Sequence, residues 1–169
     1  LQSVEEALAV LLAAARPVAA AESIPTLAAD GRILAAAVTS TLDVPPLDNT
    51  SMDGYAVRAA DCASGAARLR VAQRIPAGAI GRALEPGTAA RIFTGAPIPP
   101  GADAVVPQEQ TEADGDHVVI RHAPPAGAWI RRAGEDIRNG AEILAAGTRL
   151  RPQEIGLAAS VGRACGRLA

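Results

Sequence analysis

Between residues 42 and 137 prolines and glycines recur and every apolar stretch is short. Proline fixes its own φ and removes a backbone donor, while glycine weakens any helix interior. This part of the chain is therefore limited to short strands joined by turns. Strands are expected at 69–75, 89–93, 104–108 and 118–122, where β-formers cluster. Residues 109–116 read as a polar hairpin end with an Asp114-Gly115 turn, and Glu85-Pro86-Gly87-Thr88 as a type II turn.

The two ends of the chain have a different texture. Ser3-Val4-Glu5-Glu6 is a capping box, followed by Val4, Ala7, Leu8, Leu11, Leu12 and Ala15 at helical spacing up to Arg16-Pro17. So apolar a stripe must pack on something. A second helix is expected over 26–36, weakened by Gly31, and a strand over 143–149, interrupted by Gly147. Arg151-Pro152 then opens a helix over 153–161 that Gly162 closes. The pattern predicts an α+β, mostly β chain: residues 1–41 and 138–169 form one discontinuous α/β domain, and 42–137 an inserted β-rich domain.

Composition excludes several functions. With 20% charged residues, net charge −2 and a pI near 5.7, the chain lacks the basic surplus of a nucleic-acid binder. No run of eighteen apolar residues is present, so no membrane-spanning helix is expected. The acidic pair Glu5 and Glu6 stands where a secretory signal would be basic, which predicts a cytoplasmic protein. Every basic residue is arginine, so no Schiff-base or phosphate-loop lysine is available. Cys62 and Cys165 match no disulfide or zinc pattern. His117 and His122 are five apart, on opposite sides of a strand, and read as surface residues.

Polar groups are concentrated in three segments, each containing one of the chain's three aromatics, Tyr55, Phe93 and Trp129. The first, 47–61, holds Asp48, Asn49, Thr50, Ser51, Asp53 and Asp61 behind the stiff Val44-Pro45-Pro46. It is either an oxygen-rich site for a hard cation such as magnesium or an Asx-rich turn that caps its own backbone. In the second, 91–103, Thr94-Gly95 is either an anion-binding turn with free backbone N–H groups or a plain strand exit. In the third, 129–137, Arg131-Arg132 and Glu135-Asp136 either hold an oxyanion beside a metal or form an exposed salt-bridged turn.

The stretches LDVPPLDNTSMDGYAVRAAD, RIFTGAPIPPGADAVVPQEQTE and IRRAGEDIRNGAEILAAGTRLRPQEIGLAASVG resemble the N-terminal part of the molybdopterin molybdenumtransferases, to which the scaffold protein gephyrin is related. The resemblance implies an enzyme that inserts molybdenum from molybdate into adenylylated molybdopterin, hydrolysing the adenylate with Mg2+, to give molybdenum cofactor. It implies a homodimer, with molybdopterin adenylyltransferase acting upstream. By motif, Asp53, Thr94 and Asp136 match the family's catalytic positions. Asp53 and Asp136 are implied to organise magnesium, and Thr94 to hydrogen-bond a substrate oxygen. Ser51, Gly54, Gly95, Arg131, Arg132 and Glu135, in the same motifs, complete the candidate substrate site. The family's Rossmann-like domain and C-terminal β-barrel have no counterpart in this sequence, so the chain is expected to be inactive alone. The alternative is a non-catalytic dimerisation or scaffold module like that of gephyrin.

Overall fold

The computed structural model describes residues 2–16, 20–163 and 165–168. The elements run α1 (Val4–Ala14), β1 (Glu22–Pro25), β2 (Val38–Thr39), β3 (Asn49–Thr50), β4 (Gly54–Val57), β5 (Ala67–Ile75), β6 (Thr88–Ile92), β7 (Ala104–Pro107), β8 (Thr111–Asp114), β9 (His117–Ile120), β10 (Ile130–Arg131), β11 (Glu142–Leu144), α2 (Pro152–Ser160) and β12 (Cys165–Leu168). The chain is mostly β with two α-helices. It divides into two compact units, Leu1–Thr39 with Glu142–Ala169, and Ser40–Ala141.

In the first unit α1 begins as its capping box dictates, with Ser3 N–H on Glu6 Oε2 at 2.8 Å and Glu6 N–H on Ser3 Oγ at 3.2 Å. The helix buries none of its residues, and Val4, Leu8, Val10, Leu11 and Leu12 are all exposed. The helix expected over 26–36 does not form beyond a single 3-10 turn at Thr26–Ala28. Gly31 sits at φ +77°, outside helical space, and the following backbone finds partners across the unit instead. Gly31 N–H donates to Leu150 O, Leu34 N–H to Thr148 O, and Leu150 N–H returns to Arg32 O. The expected strand over 143–149 is divided for the same reason: β11 pairs with β2, and after a turn at 145–148 the chain pairs with 31–34. Leu34, Val38, Leu144, Leu150, Ile155 and Ala158 form the small core of this unit.

The second unit is built on a six-stranded sheet in the order β7-β4-β6-β5-β9-β8. Only β5 and β6 are parallel; every other neighbouring pair is antiparallel. Alternation along the strands sends side chains to two separate cores. Val57, Ala89 and Val106 enter one with Leu69, Val118 and Ile120; Ala56, Ala90 and Val105 enter the other with Ile75, Leu84 and Ile92. The sheet is thus packed on both faces by aliphatic side chains, and burying each isoleucine contributes about 1.5–3 kcal/mol. The hairpin at Gly115-Asp116 and the turn at 85–88, with Gly87 at φ +73°, form where expected. His117 and His122 are both partly exposed, consistent with surface positions, and His117 Nδ1 lies 2.5 Å from Asp116 Oδ1.

Gly54 opens β4 in the middle of this sheet, facing Ile92 on β6 and Pro107 on β7. A Cβ there would overlap the Val106 carbonyl, a backbone group that cannot rotate away. Gly54→Ala is expected to cost about 3 kcal/mol, read as a lowered urea midpoint at an unchanged denaturant slope. An unchanged midpoint would mean that β7 yields freely.

Candidate active site

The segment from Asp48 to Gly54 lies between the other two polar segments. On one edge Thr50 N–H donates to Ala96 O at 3.1 Å, Gly95 N–H to Thr50 O at 2.9 Å, and Ile98 N–H to Asp48 O at 2.9 Å. On the other, β3 pairs antiparallel with β10, and Ser51 N–H reaches Trp129 O at 3.1 Å. All three segments therefore meet on one short strand. Thr50 is buried; its Oγ1 accepts Met52 N–H at 3.1 Å, an ST turn that bends the chain into Asp53, and its hydroxyl donates to Met52 O at 2.7 Å.

Asp53 Oδ1 accepts two hydrogen bonds from Thr94, from the backbone N–H at 2.8 Å and from the hydroxyl at 2.7 Å. Oδ2 accepts none from the described residues. The Thr94 amide, then its hydroxyl, and more weakly the Arg91 charge hold the Asp53 carboxyl below its ordinary range. Asp53 is therefore ionised at neutral pH, oriented by one oxygen and open at the other. Thr94 lies against Asp53; its proton is directed to the carboxylate and its remaining capacity is as an acceptor.

Asp136 has a different partner. Arg131 Nη2 donates to both of its oxygens, at 2.6 and 2.7 Å, and Arg131 Nε donates to Glu135 Oε1 at 3.2 Å. These carboxylates raise the Arg131 pKa, Asp136 first. Glu135 Oε2 accepts the Arg132 N–H at 3.0 Å, closing the loop on itself. Gly134, at φ +70°, carries the turn; a Cβ there would lie 2.9 Å from Asp43 Oδ1, and its N–H donates to Pro45 O. No hydrogen bond joins Asp53 to Asp136.

The remaining expected site residues hold the framework. Ser51 Oγ donates to Trp129 O at 3.2 Å, Gly54 is buried in β4, and the Gly95 N–H is used by Thr50. The Thr94 and Ala96 N–H groups are also taken, by Asp53 and by Phe93 O, so the anion-binding reading of this turn is replaced by a turn with its donors satisfied. Arg132 turns to Asp48. Its Nη1 lies 2.6 Å from Asp48 Oδ2, and Ala133 N–H donates to Oδ1 at 2.8 Å. The Ala133 amide, followed by the Arg132 guanidinium, lowers the Asp48 pKa.

Sequence reasoning did not select Asp48 or Arg91. Asp48 lay in plain view in the polar segment, but its partners are more than eighty positions away. Arg91 donates to Gly54 O, Ile92 O and Gln108 Oε1, and stacks 5.3 Å from the Tyr55 ring centre and 4.3 Å from that of Phe93. Two of the three aromatics thus hold arginines. Trp129 is exposed and contributes its carbonyl, at a left-handed φ of 55° that few non-glycine residues adopt.

Magnesium needs oxygen ligands in octahedral array and is commonly held by one or two carboxylates with waters and substrate phosphates. Among the described residues no group of three or more acidic, histidine or cysteine side chains is placed to hold a metal. Asp53, with a free oxygen, fits as a single ligand. Asp136 is already ion-paired, with Arg131 Nη2 donating one hydrogen bond to each of its oxygens.

The fold is that of a known class. The family model described as MoeA N-terminal region (domain I and II) matches residues 2–162. The chain belongs to this family and is an N-terminal region of a MoeA-type protein. It is 41% identical over 168 residues to molybdopterin molybdenumtransferase 2 of Mycobacterium tuberculosis, covering 96% of this chain and 40% of that protein. It is 44% identical over 144 residues to the molybdopterin molybdenumtransferase of a Nostoc species, covering 82% of this chain and 33% of that protein. The crystal structure of the molybdopterin biosynthesis moeA protein from Pyrococcus horikoshii OT3 superposes with a TM-score of 0.90 at 33% identity, over 97% of this chain and 45% of that one. The chain thus spans less than half the length of each of these relatives.

Because the Asp53 pKa is lowered on folding, the Thr94–Asp53 pair stabilises above the ordinary aspartate range and loses its contribution as pH falls through the depressed value. In Thr94→Val the Asp53 titration should move upward, though not fully to the ordinary value, since the amide bond persists. A carbon-detected NMR titration of the Asp53 carboxyl checks this; an unmoved titration would show that the hydroxyl contributes nothing.

Proposed function

We propose that the protein to which this chain belongs inserts molybdenum from molybdate into adenylylated molybdopterin, with hydrolysis of the adenylate, and that this chain supplies part of the active site. The observation that carries the reading is Asp53: an ionised carboxylate fixed by Thr94 at one oxygen and open at the other, where three polar segments meet. Membership of the MoeA family and the names of the relatives point the same way.

Asp53, with substrate phosphates and water, would hold Mg2+, which when bound neutralises charge on the phosphate oxygens. Thr94 keeps the Asp53 carboxylate aimed and unprotonated. Arg131, fixed by Asp136 and Glu135, stays protonated and would offer its remaining guanidinium N–H groups to an anionic substrate group. Asp136 in this scheme orients Arg131, and the metal role assigned to it by resemblance passes to Asp53 alone. Because the substrate arrives adenylylated, an adenylyl-transferring enzyme, molybdopterin adenylyltransferase, acts before it. The full protein works as a homodimer in the cytoplasm.

Asp53→Asn in the full-length protein should reduce molybdenum insertion on the order of 100-fold with the folded state retained by circular dichroism. Unchanged insertion would remove Asp53 from the reaction and favour the scaffold reading, in which this region serves dimerisation and docking.

A further inference from the structure

We infer that Asp48 is a positioning residue for this site: its carboxylate sets the 131–136 loop and, through it, the Arg131–Asp136 pair. The inference rests on the reading of the site given above. Asp48 is tied to all three polar segments. It belongs to the first, its carbonyl accepts Ile98 N–H from the second at 2.9 Å, and its carboxylate accepts two donors from the third. From there a continuous set of contacts runs to Asp136. Arg132 N–H donates to Glu135, Arg131 Nε donates to the same carboxylate, and Arg131 Nη2 donates to Asp136.

No other side-chain hydrogen bond among the described residues links 47–53 to 131–136. The far end of the loop is held separately, by Gly134 N–H on Pro45 O and Asp136 N–H on Val44 O. The near end relies on the two residue pairs of β3 and β10. Asp48 therefore fixes the end of the loop that carries the arginines. Its ion pair is well exposed, with 38% of the Asp48 side chain and 61% of that of Arg132 accessible, so it adds little to global stability. A small displacement of a charged group at a reacting centre is costly in rate. Loss of Asp48 should accordingly affect turnover much more than folding.

The test uses the full-length protein and four variants: Asp48→Ala, Asp48→Asn, Asp136→Asn and the double variant Asp48→Ala/Asp136→Asn. Asp48→Ala should lower kcat on the order of 10- to 100-fold, with KM for molybdate and the thermal midpoint nearly unchanged. Asp48→Asn keeps an acceptor for Ala133 N–H and should recover part of the loss; it also serves if the alanine variant folds poorly. In the Asp136→Asn background, Asp48→Ala should add less than about twofold, since groups acting as one unit are not additive. Unchanged kcat, additive losses, or a rate loss that merely follows the thermal midpoint would overturn the inference. Full activity of Asp136→Asn would overturn the site reading beneath it, and the inference with it.

Discussion

The segment from Asp48 to Ser51 is hydrogen-bonded along both edges, and the candidate site exists only because it is. Ala96, Gly95 and Ile98 occupy one edge; Ile130, Arg131 and Trp129 occupy the other. Each pairing is only a few residues long, too short to persist alone. What makes them hold together is that polar side chains in the same segment finish the job. Thr50 caps Met52, Ser51 grips the Trp129 carbonyl, and Asp48 grips Arg132 and Ala133. The polar residues that look like ligands in the sequence are, for the most part, the means by which two distant loops are brought to the same strand.

That division of labour separates the two carboxylates. Asp53 is oriented by neutral donors on one oxygen, which lowers its pKa while leaving half of the group available. Asp136 faces a guanidinium that takes both oxygens. Hydrogen bonds from neutral groups tune a carboxylate without cancelling its charge; an arginine cancels the charge locally and becomes the better anchored partner. The first arrangement leaves one carboxylate oxygen open to a further partner; the second ties Asp136 and Arg131 to each other.

Much of the β-rich architecture was legible in the sequence, because proline, glycine and β-branched residues act locally. The four expected strands and both turns of the second unit lie where those residues place them, within a residue or two. The helix expected over 26–36 was not legible, because Gly31 and pairing with a segment more than a hundred positions away decide it. β4 went unread because it starts inside the polar segment, where Gly54 looks like a turn residue although it is a strand residue packed against a carbonyl. In the site, the segments were legible and the pairings were not. Nothing in composition says that Arg132 will choose Asp48, or that the Gly95 N–H will be taken by Thr50.

The aliphatic core accounts for the use made of the few aromatics. Ala56, Ala89, Ala90 and Ala104 are fully buried on the two faces of the sheet, which are packed without a phenylalanine or tryptophan in either core. Phe93 lies against charge, and Tyr55 packs on the edge of one core with Arg91 over its ring. Arg74 and Arg91 stand directly opposite each other on β5 and β6, a like-charged pair that would repel across the strands. The Phe93 ring lies 4.3 Å from each guanidinium, and a π face attracts both cations. Arg91 is further fixed by the carbonyls of Gly54, next to Asp53, and of Ile92, two residues before Thr94. The positive charge that helps keep Asp53 ionised is therefore set by the sheet itself, and the polarity of the site is built into strand register as much as into its loops.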